Sequence, residues 1–186
     1  MLEPTELLYA YAQGYFPMAI PEENDEIFWF KPDMRGIIPL EEFHISINLR
    51  RLFNKHYFDL RINGDFEGTI RSCANREDTW ISEDIIKSYC KLNELGYGYS
   101  FETWRNGKLV GGLYGVAIGK VFFGESMFHT ETDASKIALI FLVEFMKENQ
   151  FKLLDTQYIN DHLKQFGAIE IPNEEYELLL EDALES

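Results

Sequence analysis

Apolar positions recur at helical spacing in five stretches of the chain and alternate with polar ones in one long block between them. Leu7, Leu8 and Tyr11 share a face of Leu2 to Gln13, with Pro4 suited to a first turn and Gly14 to a stop, which predicts a short helix. Ile27-Phe28-Trp29-Phe30-Lys31 reads as a strand-like run ended by Pro32; the rest of the first 43 residues reads as irregular and rich in aromatics prone to exposure. Helices follow over about Ile45–Asn54, from an Asp65 N-cap to near Asn75, and from a Ser82 N-cap to Gly96, with a strand near Phe58–Ile62 between the first two. The period then shortens to two. Tyr99–Trp104, Leu109–Ile118 and Val121–Phe128 predict three antiparallel strands, joined at Asn106-Gly107 and Gly119-Lys120. A long helix over Asp133–Asn149 and a buried strand Phe151–Asp155 come next, and the last dozen residues read as a solvated acidic helix. Meander, helix and strand in that order predict an α+β domain with the helix packed on a mostly antiparallel sheet.

Length and composition narrow the classes. At 186 residues, 46% apolar and 15% aromatic, the chain can bury a substantial core. The net charge is −15, but seven of the 32 acids lie beyond Ala168, leaving 25 acids against 17 bases up to residue 169. Such acidity opposes nonspecific duplex DNA binding and attraction to an anionic membrane, while leaving room for a local nucleic-acid site. The basic residues cluster in 44–76, where Arg50, Arg51, Lys55, Arg61, Arg71 and Arg76 outnumber Asp59, Asp65 and Glu67. Cys73 and Cys90 form no C-x-x-C, and His44, His56, His129 and His162 have no ligand spacing, so neither a disulfide framework nor a metal site is expected. With no leader-like N-terminus and no apolar run longer than Ile137–Val143, a soluble cytoplasmic protein is expected.

Several chemistries fail on their motifs. Gly124-Glu125-Ser126-Met127-Phe128 starts like a nucleophile elbow but lacks the closing glycine and sits in a meander. Gly119-Lys120 resembles the end of a P-loop, yet Tyr114 stands where its first glycine belongs and Val121 replaces Ser or Thr. Asp155 and Gln157 stand out, because positions i and i+2 of a strand share a face. Glu125 is comparable, an acid framed by Phe122, Phe123, Met127 and Phe128. A strand-end cap or a paired structural acid explains these residues as well as catalysis does.

The ordered blocks Ala10–Met18, Trp29–Arg35, Phe43–Ser46, Cys73-Ala74, Thr79–Ile81, Leu109–Val116, Gly124–Phe128, Ala134–Leu139, Asp155–Gln157, His162-Leu163 and Gly167-Ala168 resemble the leucyl/phenylalanyl-tRNA–protein transferase family. That resemblance implies transfer of Leu or Phe, with Met a further candidate, from aminoacyl-tRNA to the α-amine of proteins beginning with Arg or Lys, feeding N-degron degradation. It implies a small N-terminal domain, here 1–43 and shorter than the family's, and an acetyltransferase-like (GNAT-like) domain over 44–186. Trp80 and Phe30 match aromatics that hold the terminal adenosine, Phe30 standing where the family usually has Trp. Leu113, Phe122, Met127, Leu139, Leu142 and Leu154 match the aminoacyl side-chain pocket, Glu125 a pocket acid, and Asp155 with Gln157 the pair assigned to amine activation. Arg50, Arg51, Lys55 and Arg61 of the basic segment would meet tRNA phosphates. An ester donor is already activated, so no cofactor, metal or covalent nucleophile is expected. Near-isosteric Asp155→Asn is expected to keep the fold and lose activity. Two other readings compete, a related acyltransferase using acyl-CoA or a different aminoacyl-tRNA, and a noncatalytic aminoacyl-tRNA binding module. Acyl-CoA use wants a glycine-rich pyrophosphate loop, and Phe128–Ser135 contains no glycine.

Overall fold

The computed structural model describes residues 1–77 and 79–186. Helix α1 (Pro4–Ala12) carries Pro4 in its first turn, as its sequence demands. The stretch that follows is not irregular, as expected, but folded. Strands β1 (Phe16–Ile20) and β2 (Glu26–Phe30) form a hairpin, with Asn24 and Asp25 in the left-handed conformation at its turn. The next strand, β3 (Met34–Ile37), is too short and too broken by Gly36 to show a period, which is why the sequence hid it.

Helices α2 (Ile47–Asn54), α3 (Phe66–Ala74) and α4 (Glu83–Glu94) start where the capping residues place them. Ser46, Asp65 and Ser82 each accept a hydrogen bond from the backbone N–H three residues on. Strand β4 (Asp59–Ile62) lies between α2 and α3, and β5 (Gly98–Arg105), β6 (Lys108–Ile118) and β7 (Val121–His129) are the expected meander. Helix α5 (Ala134–Glu148) crosses to β8 (Leu153–Gln157), which runs parallel to β7, the topology such a crossover demands. After the short α6 (Asp161–Lys164), β9 (Ile169–Pro172) and α7 (Asn173–Leu184) complete the described chain. The seven-stranded order is β4-β5-β6-β7-β8-β3-β9, so β3, from near the start, is held between two strands from near the end.

Alternation along the strands sorts side chains into two cores. Tyr114, Phe123 and Leu153 face α1, α3, α4 and α7, while their neighbours Leu113, Phe122 and Leu154 face α5. The acidic C-terminal helix is accordingly not solvated throughout, since Tyr176, Leu180 and Ala183 are buried. Among the described residues, no helix is long and apolar enough to cross a membrane.

Candidate active site

The parallel strands β7 and β8 pair only from Val121↔Leu153 to Phe123↔Asp155, and beyond that point they part. Each carries a bulge at the parting. On β7, Gly115↔Gly124 is followed by Tyr114↔Ser126, so Glu125 is the extra residue and has no partner across the ladder. On β8, Gly36 pairs Gln157 and Ile37 pairs Asp155, which leaves Thr156 extra. Bulges bend a strand and re-aim its side chains, a common device beside active sites. Gly115 is required at the first of them, because a Cβ there would lie 2.2 Å from the Phe123 carbonyl oxygen.

Between the parted strands lies a cavity of about 280 Å³. Its apolar wall is Leu113, Met127, Leu139, Leu142 and Leu154, its polar wall Glu125, Gln157, Tyr114 and Ser126, and Trp80, Tyr158, Asn160 and His162 also line it. Five of the six expected pocket residues thus meet. Phe122 does not line the cavity; it is 1% exposed and packs edge-on to Phe101 in the core beneath. Trp80 lines the cavity, whereas Phe30 lies off it, stacked on Phe16 at 6.2 Å between centroids.

Behind the polar wall runs a buried network that the sequence did not reveal. Arg35, 0% exposed, donates from Nε and Nη2 to Asp155 at 2.9 and 2.7 Å and from Nη1 to the Gly14 carbonyl at 2.7 Å. Its guanidinium lies between the rings of Phe16 and Tyr176. Burial pulls its pKa down, and the Asp155 carboxylate beside it more than reverses that, so the charge is held. Asp155 also accepts from Tyr176 Oη at 3.2 Å and from the backbone N–H of Gln157 at 2.8 Å. The last bond steadies Gln157 in a left-handed conformation, φ 64°, and Gln157 Nε2 donates to Glu125 Oε1 at 3.0 Å. The Tyr11 hydroxyl also donates to Glu125 Oε1, and the Tyr89 hydroxyl bonds that of Tyr11. Burial pushes the Glu125 carboxyl up to about 8. It drives the phenols of Tyr11, Tyr89, Tyr114 and Tyr176 far above their ordinary range.

Arg35, Tyr11, Tyr89 and Tyr176 were missed because each stands in a segment read as plain helix or irregular chain. The one available signal was the place of Arg35 at the end of the Trp29–Arg35 block. At the cavity rim, Arg76 Nη2 reaches Ser126 Oγ at 3.1 Å and the Met127 carbonyl at 3.3 Å. The basic residues of 44–76 are dispersed. Arg50 pairs with Glu144 at 3.3 Å, and exposed Arg51 shares a shallow hollow with it, His44 and Ile47. Lys55 is exposed at the end of α2, and Arg61 pairs with Asp59 and lies over Trp104 on edge strand β4. Neither cysteine offers a thiolate, since burial raises Cys73 to about 12 and Cys90 to about 11.

An apolar cavity whose wall carries a hydrogen-bonded carboxyl and amide, and among the described residues no cysteine, fits an enzyme that positions an already activated apolar substrate against a second reactant. Residues 37–181 match the family model for leucyl/phenylalanyl-tRNA protein transferase, and residues 1–33 match the model for its N-terminal domain. The chain belongs to that family and is an aminoacyltransferase. It is 50% identical over 182 residues to the leucyl/phenylalanyl-tRNA–protein transferase of Paramagnetospirillum magneticum, covering 96% of this chain and 87% of that one. It is 49% identical over 183 residues to that of Gloeobacter violaceus, covering 98% and 94%. Among solved structures it is similar to a GCN5-related N-acetyltransferase-like protein from Streptococcus suis, with a TM-score of 0.42, 14% identity, and 74% and 58% coverage.

Proposed function

We propose that the chain moves a leucyl or phenylalanyl group from its tRNA ester to the α-amine of proteins beginning with Arg or Lys, and so marks them for degradation in the cytoplasm. The observation that carries this reading is the cavity itself. Its apolar wall suits a branched aliphatic or benzyl side chain, and its polar end brings Gln157 and Glu125 to where the ester would lie. The donor arrives activated, so holding ester and amine together supplies most of the acceleration, up to roughly 7–11 kcal/mol in well-oriented systems. Trp80 stacks the terminal adenosine, at about 1–3 kcal/mol per base, with Phe30 supporting from the neighbouring hairpin. Gln157 orients the amine, and Asp155 fixes Gln157 through its backbone N–H. Arg50, Arg51, Lys55 and Arg61 meet acceptor-stem phosphates, and the net charge of −15 favours a cationic acceptor terminus. Residues 1–43 would serve as the small N-terminal domain and 44–186 as the catalytic one. Names borne by the relatives support the donor and the reaction class. The test incubates purified protein with labelled leucyl-tRNA and an Arg-starting peptide. Label in the peptide is expected, and its absence with both leucyl- and phenylalanyl-tRNA would reject the reading.

A further inference from the structure

The amine that attacks the ester must shed protons, and the buried network shows which groups have room for one. Asp155 has none to spare. It is 0% exposed, Oδ1 accepts from Arg35 Nε and the Gln157 N–H, and Oδ2 accepts from Arg35 Nη2 and Tyr176 Oη. Gln157 is an amide and takes up no proton at neutral pH; one of its two N–H groups donates to Glu125, and its amide oxygen is the group that can accept from an amine. Glu125 differs. Oε1 takes hydrogen bonds from Tyr11 and Gln157, while Oε2 is buried with no partner. Among the described residues, three buried side-chain oxygens lack a partner, and two of them, Glu125 Oε2 and Tyr114 Oη, belong to residues lining this cavity. A buried carboxylate oxygen left unbonded is costly, and because Glu125 lines the cavity, a small turn of its side chain would let that oxygen meet a polar group of the substrate.

From this geometry we infer that the Glu125 carboxylate is the proton acceptor for the attacking α-amine, with Gln157 orienting that amine and Asp155 acting only as a positioning residue. The inference rests on the transfer reaction proposed above. Glu125 takes one proton from the ammonium, and the freed lone pair forms the C–N bond to the ester carbonyl carbon. The bond from that carbon to the ribose oxygen breaks with its electron pair on oxygen, which takes the second N–H proton. Glu125 releases its proton to solvent as the product leaves. The surroundings suit this role. Tyr11 from α1, Tyr89 from α4 and Tyr114 from β6 face the carboxyl as neutral phenols, and the charges of Arg35 on β3 and Asp155 on β8 oppose one another. Burial therefore dominates and brings the carboxyl to about 8, close to the roughly 7.7–8.0 of an α-amine. An ordinary carboxylate would leave the amine protonated; a matched one lets the proton sit on either partner at little cost.

The test compares Glu125→Gln with wild type on two Arg-starting peptides, one with its natural α-amine and one with an aminooxy group in its place. The aminooxy nitrogen is neutral at pH 7 and needs no acceptor before it attacks. With the amine peptide, Glu125→Gln should lower kcat by about 100-fold or more, within the span of general-base catalysis, with the KM for leucyl-tRNA unchanged. With the aminooxy peptide the variant should stay within about fivefold of wild type. Equal losses on both peptides would make Glu125 a structural residue, and full activity on the amine would remove it from the reaction; either overturns the inference. Failure of wild type on both peptides would instead reject the transfer reaction itself. Asp155→Asn, run alongside, should lower transfer to both peptides by a similar factor.

Discussion

At the scale of single residues, two buried acids on neighbouring strands have different partners, one a cation and the other only phenols and an amide. Asp155 pairs with buried Arg35, so Asp155→Asn is not the silent change its shape suggests. It leaves a guanidinium buried without its counter-ion and should cost about 3–5 kcal/mol, read as a lowered denaturation midpoint. Glu125 ties stability to pH. Its folded pKa, about 8, lies above that of an unfolded glutamate near 4.3, so the native state binds the proton more tightly. The stability this provides is complete below about pH 4.3 and is lost as pH rises to about 8. Denaturation of wild type and Glu125→Gln across pH 5–9 should show wild type falling relative to the variant by a few kcal/mol, on the order the linkage allows, and levelling above pH 8.

At the scale of elements, the site is made by two bulges where parallel strands part, and that is also where the sequence stopped being legible. Caps at Asp65 and Ser82, the Asn106-Gly107 turn and the apolar faces of α4 and α5 are local signals, and helices and strands formed where they pointed. A bulge has no local signature: nothing near Glu125 announces that it will oppose no residue across the ladder. Strands β3 and β9 were hidden for a related reason, since four residues pairing across the length of the chain leave too short a pattern to read. Motif resemblance found Asp155, Gln157 and Glu125, but not Arg35, whose role exists only once β3 lies beside β8. Gly115→Ala tests the bulge directly. The added methyl would meet the Phe123 carbonyl oxygen, so the strands must shift, at a cost of about 1–3 kcal/mol. Because Glu125 sits opposite that shift, transfer at a temperature where the variant remains folded should fall as well. A variant as active and stable as wild type would mean that the bulge does not aim Glu125.

At the scale of the whole molecule, charge is unevenly spread. The chain stands at −15 while its basic residues are divided between pairs, such as Arg50 with Glu144 and Arg61 with Asp59, and exposed positions such as Arg51 and Lys55. Few cations remain to release counterions from a tRNA, so affinity should fall gently with salt, with stacking and side-chain burial supplying most of the binding. Arg50→Ala with Arg51→Ala should weaken transfer from full-length tRNA and spare a short aminoacylated acceptor-end mimic, whereas Trp80→Ala should damage both; parallel kinetics on the two donors distinguish them. The strand order has a consequence in time. Arg35 and Asp155 are 120 residues apart, and a ribosome adding roughly 5–20 residues each second needs about 6–24 s to travel between them. Throughout that interval the nascent β3 has neither of its neighbours. The candidate site is therefore completed only late in synthesis, and a chain halted before β8 would carry the meander's side of the cavity without the strand that brings Asp155 and Gln157 to it.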